Sequence, residues 1–375
     1  MLSIVVPTYN ESTNVPILIH AIECCLSGRT NYEIIFVDDS TDNTPDVLQQ
    51  LASVDPRVRY EHRENERGLG TAVVRGFRLA KGNVITVLDA DLQHPPNMLI
   101  PMLKQIEMGY DLVIPSRFVP GGNDGGLAVH RKWVSWVARM MGKLALKKVR
   151  PINDPTSGFF IFRRQVIESV YLHPIGWKIL IEILVRGRYQ RVLEMPYQFQ
   201  TRATGKSKMS IKEQWNYIRH LVKLVKDSPE DRRFYTFALV GMSGVIINMI
   251  IYAVLVRVGI AVPVAGTLSA LVAMLGNFVL NDVVTWKDIQ TGTRLTRAVK
   301  YTLISLVGIG MNVEMLYALN HVNVNYLFAN LLGIIVATVW NFTINNVWTW
   351  RQNSPKPVIT QSSNAVNAVQ EVTIK

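Results

Sequence analysis

Two aspartates and a glutamine follow a run of apolar residues. Asp89, Asp91 and Gln93 recur at every second position, so their side chains lie on one side of an extended backbone. The preceding residues, Val84 to Leu88, predict a buried strand. Carboxylate and amide oxygens at the end of such a strand suit a hard divalent cation. A solvated acidic turn is the alternative interpretation, because turns favour Asp.

Polar residues also follow two other predicted strands. Residues Thr8 to Ser12 come after the strand Leu2 to Pro7, and Asp38 to Ser40 end the strand that begins at Glu33. Helical patterns alternate with these strands, which predicts an α/β domain over residues 1–209 with a parallel, doubly wound sheet. Because parallel strands end at one edge of a sheet, we expect the polar residues to share a nucleotide-binding rim.

Two later segments have the periodicity of amphipathic helices. From Arg131, the side chains Trp133, Trp136 and Leu144 recur at helical spacing, with lysines between and after them. This pattern suits a helix at a membrane interface, and packing against its own domain is the alternative. A second amphipathic helix is predicted within residues 210–232, immediately before the most apolar part of the chain.

Four stretches with little or no charge can each supply the ~20 residues of a membrane-spanning helix. They are Phe234 to Val256, Val258 to Asn281, Tyr301 to Leu319 and Val324 to Trp350, within a membrane domain over 233–351. Lysine and arginine concentrate before the first stretch and between the second and third. The positive-inside rule predicts a multi-pass protein of the cell (plasma) membrane, with the N-terminal domain and both termini cytoplasmic. The polar residues 352–375 predict a disordered tail.

The membrane domain contains an internal repeat. The segment Asn277 to Lys287 matches Asn341 to Arg351 without a gap, and the same offset of 64 residues pairs Asn248 with Asn312. We therefore expect two helical hairpins of the same orientation. Glu314 has no acidic counterpart in the first hairpin. An intramembrane carboxylate is costly, so it indicates a headgroup or transport role or an interhelical hydrogen bond.

The composition limits the classes of partner. Of 375 residues, 49% are hydrophobic and 18% charged, and the apolar residues concentrate in the C-terminal part, so a lipid bilayer is an expected partner. The net charge of +12 suits an anionic membrane or a phosphorylated substrate; we expect no nucleic acid, because no nucleic-acid-binding motif accompanies it. Cys24 and Cys25 are adjacent in a predicted helix, where their side chains diverge, so no structural disulfide is expected. The oligomeric state stays open.

Taken together, the motifs resemble those of the inverting GT-A glycosyltransferases of family 2. More narrowly, they are similar to the dolichyl-phosphate mannose synthases and the polyprenyl-phosphate hexose synthases. The matching segments are Pro7 to Glu11, Val37 to Ser40, Asp89 to Pro95, Ser116-Arg117, Asp154 to Phe160, Gly176 to Leu180 and Arg202 to Lys208. The four-span repeat resembles the GtrA-like membrane domain fused to some prokaryotic members. This resemblance covers nearly the whole chain except the tail, and it favours the cation site over the acidic turn.

The resemblance implies a GT-A (Rossmann-like) catalytic domain followed by an all-α transmembrane domain of four helices, and it implies residue roles. The nucleotide sugar would be bound by Pro7, Tyr9, Glu11, Val37, Asp39, Asp89, Ala90, Asp91, Lys178, Arg202 and Lys208. Asp89, Asp91 and Gln93 would hold Mg²⁺ or Mn²⁺ against the donor diphosphate. The lipid phosphate would lie against Arg117 and Arg131, with Ser135 beside them. The two aspartates and the two arginines are thus the candidate catalytic residues.

The implied reaction transfers mannose from GDP-mannose to dolichyl or polyprenyl phosphate with inversion, giving a β-linked product and GDP. A phosphate monoester has its second pKa at about 6, so the acceptor is already anionic and no general base is required. Another hexose is an alternative, because motif spacing does not reveal the sugar contacts. A lipid-linked sugar flippase with a nucleotide-sugar-binding domain is a second. A processive polysaccharide synthase is disfavoured, because the Gln-x-x-Arg-Trp motif of those enzymes is missing from the sequence.

Overall fold

The computed structural model describes residues 1–126, 129–200, 211–289, 292–321, 326–351 and 358–361. The chain divides into two compact units. The first comprises Met1–Ser228 and Lys356–Lys375, and the second comprises Pro229–Pro355. The amphipathic helix expected within residues 210–232 therefore belongs to the first unit.

The first unit is an α/β domain built around one sheet. Its strands are β1 (Leu2–Thr8), β2 (Tyr32–Asp38), β3 (Val58–His62), β4 (Val84–Val87), β5 (Leu112–Ser116), β6 (Phe160–Arg163), β7 (Arg191–Pro196) and β8 (Val358–Gln361). Its helices are α1 (Asn14–Leu26), α2 (Thr44–Val54), α3 (Leu69–Leu79), α4 (Leu99–Glu107), α5 (Val129–Ala145), α6 (Ile179–Arg186) and α7 (Ile211–Asp227). Strands β1 and β2 are buried along their whole length, because helices cover both faces of the sheet.

The sheet has the strand order β3-β2-β1-β4-β6-β5-β7-β8. Strands β3, β2, β1 and β4 are mutually parallel, and β5 is parallel to β7. The prediction of a wholly parallel sheet is wrong at β6, which runs antiparallel to both β4 and β5. The reversal has a consequence for the site, since an antiparallel strand begins where its neighbours end. Phe160 at the start of β6 lies opposite Val87 at the end of β4.

Residues 352–375 are expected to form a disordered tail, but four of them, Val358–Gln361, form strand β8. Strand β8 pairs in parallel with β7, with Val358 opposite Arg191 and Gln361 opposite Glu194. The tail thus adds a strand to the edge of the sheet of the first unit, which satisfies backbone groups that β7 would otherwise leave unpaired.

The second unit consists of helices α8 (Pro229–Arg257), α9 (Val262–Leu280), α10 (Arg294–His321) and α11 (Tyr326–Ile344). Among the described residues, three segments are long and apolar enough to span a membrane: Pro229–Arg257, Val264–Thr285 and Arg294–Leu319. Helix α11 occupies the fourth predicted stretch and has 19 residues. The unit is therefore a helical membrane domain in which α8 packs on α9 and α10 packs on α11.

The internal repeat is visible as two equivalent ends of the hairpins. Helices α9 and α11 each continue into a π-helical turn, Asn281–Thr285 and Asn345–Thr349. Trp286 and Trp350 follow these turns, are fully buried, and stack with ring centroids 4.2 Å apart and planes 1° apart. The indole Nε1 of Trp286 donates to Asn346 (3.3 Å), and that of Trp350 donates to Asp282 (3.2 Å). Each hairpin thus completes the hydrogen bonding of the other.

Glu314 lies on α10 with its side chain exposed on the surface of the second unit. No interhelical hydrogen bond to it is found among the described residues.

Candidate active site

A cavity of about 870 Å³ opens at the edge of the sheet where β1, β2 and β4 end. It lies wholly within the first unit, and its walls come from strand ends and from α5 and α7. Most of the residues expected from sequence line it: Pro7, Tyr9, Glu11, Asp39, Asp89, Ala90, Asp91, Gln93, Arg117, Arg131, Ser135 and Lys178. One cavity therefore brings together side chains that are up to about half the chain apart in sequence.

Three predicted residues have a different outcome. Val37 is fully buried within β2 and is not among the described residues that line the cavity, so its side chain contributes to the core. Side chains on a strand alternate between the two faces of the sheet, and a match of motif residues does not show which face a side chain occupies. Arg202 and Lys208 lie outside the residues that the structure describes.

The acidic motif forms a tight turn after β4. Leu92 has a φ of 60°, a left-handed conformation that costs an L-residue about 1–2 kcal/mol. This turn brings the backbone N–H of Gln93 to 3.1 Å from Oδ1 of Asp91. The backbone of Gln93 also accepts a hydrogen bond from Gln200 (3.0 Å). The Asp91 side chain is largely buried and that of Asp89 is 31% exposed, so the motif presents fixed oxygens to the cavity.

A buried arginine that the sequence analysis did not identify holds Asp39. Arg63 donates from Nε to Oδ1 and from Nη2 to Oδ2 of Asp39, both at 2.7 Å, and the Gly68 N–H donates to Oδ2 at 2.9 Å. The register of β2 and β3 explains the contact, since Asp38 lies opposite His62 and the next residues are neighbours. Asp39 therefore ties the end of β2 to the loop before α3.

Arg117 is held by a chain of buried carboxylates. Its Nε and Nη2 donate to Asp154 at 2.8 and 3.0 Å, and its guanidinium lies 5.2 Å from the ring centroids of Phe118 and Phe199. Asp154 is fully buried and its N–H donates to Glu194 at 2.9 Å. Burial raises the pKa of Glu194. The hydrogen bonds that Glu194 accepts from the backbone N–H groups of Asn153 and Asp154 lower it, but by less. The guanidinium is thus fixed at the cavity wall.

Lys178 contributes a second cation to the same wall. Its Nζ donates to the carbonyl of Thr156 at 3.2 Å, and the side chain is half-buried. Burial lowers the pKa of Lys178, and Arg117 lowers it further, while Asp154 and Asp89 oppose this shift. The negative charge of an anion bound beside Lys178 would act in the opposite direction, because it favours the protonated ammonium.

Helix α5 brings the remaining predicted cation. Arg131 and Ser135 line the cavity and are half-buried. On the same helix, Trp133, which also lines the cavity, is 63% exposed, and Leu144 is 68% exposed. Lys132 forms an ion pair with Asp124 at 3.0 Å, which ties the start of α5 to the preceding loop. One helix therefore combines a cationic face in the cavity with exposed apolar side chains.

Two family models match the chain. Glycosyl transferase family 2 matches residues 3–171, and the transmembrane domain model GtrA/DPMS matches residues 236–355. The first match covers most of the α/β unit, including the acidic motif and Arg117. The second covers the two helical hairpins.

Curated relatives match over long stretches. A dolichol-phosphate mannosyltransferase of Pyrococcus furiosus is 41% identical over 349 residues, 93% of this chain and 99% of that protein. A dolichol-phosphate mannosyltransferase of Saccharomyces cerevisiae is 35% identical over 59% of this chain and 86% of its own length. A polyprenol monophosphomannose synthase of Mycolicibacterium smegmatis is 34% identical over 55% of this chain and 80% of its own.

Among solved structures, glucosyl-3-phosphoglycerate synthase of Mycobacterium tuberculosis, in complex with Mn²⁺, UDP and its product, is 19% identical. That match covers 60% of this chain and 78% of the other, with a TM-score of 0.45. The assignment comes instead from the family models and from the relative that matches nearly end to end. The chain belongs to the dolichol-phosphate mannosyltransferase family, with a glycosyl transferase family 2 catalytic domain and a GtrA/DPMS membrane domain.

Proposed function

We propose that the protein transfers mannose from GDP-mannose to a dolichyl or polyprenyl phosphate with inversion, giving a β-linked lipid-phosphate mannose and GDP. One observation carries the proposal. The acidic motif and the cations Arg117 and Arg131 line the same cavity, so a donor diphosphate and an acceptor phosphate can be held side by side. Membership of the mannosyltransferase family supports the sugar and the class of acceptor.

The donor would bind at the ends of β1, β2 and β4. Tyr9 and Glu11 line this part of the cavity together with Asp39. Both oxygens of Asp39 are already engaged by Arg63, so Asp39 acts on the nucleotide mainly by fixing the shape of its pocket. Lys178 lies close enough to the acidic motif to contribute positive charge beside the diphosphate.

The oxygen donors of the acidic turn fit Mg²⁺ or Mn²⁺. Two carboxylates and an amide form a hard, anionic set, and Asp89 is partly exposed to the cavity. Among the described residues, no group of three or more His, Cys, Asp or Glu side chains could hold a metal ion, so the set depends on Gln93 and on the nucleotide's own oxygens. When bound, the cation would supply charge neutralisation for the departing diphosphate.

The acceptor would bind against Arg117, Arg131 and Ser135. Asp154 orients the Arg117 guanidinium, and Phe118 and Phe199 pack on it, so little ordering is required when an anion arrives. The acceptor oxygen is already deprotonated near pH 7 and attacks the anomeric carbon directly. The residues therefore bind, orient and neutralise, and none is required to remove a proton.

The placement at the membrane is part of the proposal. Trp133, Trp136, Val137 and Leu144 are exposed on α5, which suits a helix that lies in the headgroup region next to a lipid substrate. Lys287 lies between α9 and α10, and Arg294, Arg297 and Lys300 lie in the first two turns of α10. These cations favour the cytoplasmic side for the catalytic unit, in the cell membrane.

The full-length protein in detergent, supplied with GDP-mannose, a polyprenyl phosphate and Mn²⁺, tests the proposal. We expect a β-linked lipid-phosphate mannose, identified by NMR of the product. Asp91→Ala should remain folded but lose turnover. Asp46→Ala, at an exposed position on α2, should keep the turnover of the wild type. Turnover by Asp91→Ala, or undiminished turnover in EDTA, would contradict the metal assignment.

Two alternatives have distinct outcomes in the same experiment. Replacing GDP-mannose by other nucleotide sugars identifies a different hexose if one of them reacts faster. Tight binding of GDP-mannose without any lipid-linked product would favour a flippase that only binds the nucleotide sugar. The exposed Glu314 on α10 is the residue to substitute in that case, because an intramembrane carboxylate points to handling of polar groups in the bilayer.

A further inference from the structure

A buried histidine connects the acidic motif to an aromatic cluster. The Nε2 of His94 lies 3.4 Å from Oδ2 of Asp89, and its Nδ1 lies 3.2 Å from the hydroxyl of Tyr197. The imidazole is 4% exposed, and its centroid lies 5.2 Å from that of Phe159 and 5.4 Å from that of Phe199. The ring orientation is therefore set by packing as well as by its two polar contacts.

The contacts on the two ring nitrogens determine what His94 offers to Asp89. An ionised carboxylate only accepts hydrogen bonds, so the ring nitrogen that faces Asp89 is the donor and Nδ1 is left to accept from the Tyr197 hydroxyl. With Nδ1 accepting, the ring proton is on Nε2, the nitrogen that faces Asp89. His94 thus presents an N–H to one oxygen of the carboxylate.

The same oxygen of Asp89 is confined from another side. A Cβ added to Gly158 would lie 2.9 Å from Oδ2 of Asp89, so only glycine leaves room for the carboxylate here. Gly158 is followed directly by Phe159, which packs on His94 and leads into β6. The antiparallel strand therefore delivers both the space for Asp89 and the aromatic support for its histidine partner.

We propose that His94, supported by Tyr197, is a positioning residue that orients Asp89 for the divalent cation. This inference rests on the proposed metal site. His94 is a positioning residue here and not a catalytic one, because its polar contacts are with Asp89 and Tyr197. Its effect is to hold Oδ2 of Asp89 with an N–H and so direct the carboxylate toward the cavity. Partners of this kind typically change metal affinity by about 10–100-fold when removed.

Mn²⁺ binding to the full-length protein, followed by electron paramagnetic resonance with and without GDP, tests the inference independently of turnover. We expect His94→Leu to weaken Mn²⁺ binding by about tenfold or more, and His94→Gln, whose amide can replace the Nε2 donor, to restore part of that loss. Tyr197→Phe removes only the hydroxyl and should weaken binding by a smaller factor. If a His94 variant fails to fold, Tyr197→Phe still tests the proposal.

Tyr189→Phe is the control, because it removes the hydroxyl of another tyrosine, which is half-buried and donates to the Leu184 carbonyl. It should leave the Mn²⁺ affinity unchanged. If the wild type and Asp91→Ala bind Mn²⁺ equally weakly, the proposed metal site itself is wrong. If the wild type binds Mn²⁺ and folded His94→Leu and Tyr197→Phe bind it equally well, the metal site stands and the positioning role of His94 is overturned.

Discussion

Arg117 and Asp154 form a bidentate ion pair at the wall of the cavity, with Nε–Oδ2 and Nη2–Oδ1 distances of 2.8 and 3.0 Å. Asp154 comes from the segment before β6, and Arg117 follows β5. The pair thus fixes the orientation of a guanidinium that lines the cavity. Its value to the protein is orientation, since a buried ion pair adds little net stability by itself.

Arg117→Lys should reduce turnover sharply. Lysine keeps the charge but cannot make two parallel bonds to Asp154 while also contacting a phosphate. We expect kcat/KM for the polyprenyl phosphate to fall by about tenfold or more, because a positioned hydrogen-bond donor to the phosphate is lost. Initial rates at varied acceptor concentration measure this.

Arg75→Lys is the control for that substitution. Arg75 makes an equivalent pair with Glu61 at 2.7 and 2.9 Å, but on the exposed surface of α3. Equal losses in the two variants would show that a paired arginine matters for folding alone and would contradict the role given to Arg117.

Asp39→Asn should weaken GDP binding. An amide cannot accept both guanidinium bonds from Arg63 as well as the Gly68 N–H, so the pocket edge between β2 and α3 loosens. We expect the Kd for GDP, measured by calorimetry, to rise by about tenfold, equivalent to 1.4 kcal/mol. Arg63→Lys should give a similar rise. Arg59→Lys, which alters a pair with Glu33 outside the cavity, should not.

The stability of the catalytic unit should fall in acid through Glu182. This carboxylate is fully buried on α6 and accepts hydrogen bonds from His220 (2.5 Å), Arg186 and the His173 N–H (both 2.7 Å). Burial raises the pKa of Glu182, but its hydrogen bonds and the positive charges nearby outweigh burial, and the pKa is below the ordinary 4.5.

The direction of this pH dependence follows from the number of protons that the folded and the unfolded chain bind. Between the folded pKa and 4.5, the unfolded chain binds more protons than the folded one, so unfolding free energy is lost as the pH falls through the folded pKa of Glu182. Melting curves of the intact protein between about pH 3 and pH 7 measure this. Glu182→Gln should melt lower at neutral pH and show a flatter decline in acid. Glu107→Gln, at the exposed end of α4, is the control and should behave like the wild type. If the melting temperature of Glu182→Gln falls in acid as steeply as that of the wild type, the assignment to Glu182 is contradicted.

Two truncations separate the tail strand from the residues that follow it. A chain that stops after Pro355 loses β8, whereas one that stops after Gln361 keeps it. Losing a few ladder hydrogen bonds at about 0.5–1.5 kcal/mol each should lower the melting temperature of the first variant by several degrees. The second should melt like the full chain. Equal melting temperatures for the two variants would show that β8 contributes nothing to the stability of the sheet.

The strand ends that carry the site were predictable because their signal is local. Apolar runs stop at Thr8, Asp38 and Val87, and polar residues follow each run. The direction of β6 was not predictable, since Phe160–Arg163 is buried and apolar whichever way it runs. The Arg63 contact depends on strand register between residues 24 positions apart, and a lone arginine after a strand resembles a surface charge.

His94 illustrates the same limit. It stands inside the acidic motif, yet its partners Tyr197 and Phe159 come from segments more than 60 residues later. Only the meeting of β4, β6 and β7 at one edge places them together. The motif therefore indicated the candidate oxygen ligands, while the side chains that support them could be found only in the folded chain.

The stacked Trp286 and Trp350 have a consequence for how the membrane domain arose. Each indole donates to a polar side chain of the opposite hairpin, at equivalent positions, and both rings are fully buried against each other. One hairpin on its own would expose an aromatic face and leave an indole N–H unbonded. An ancestor with a single hairpin would have needed a second copy of itself, and gene fusion would have turned that homodimer contact into an intramolecular one.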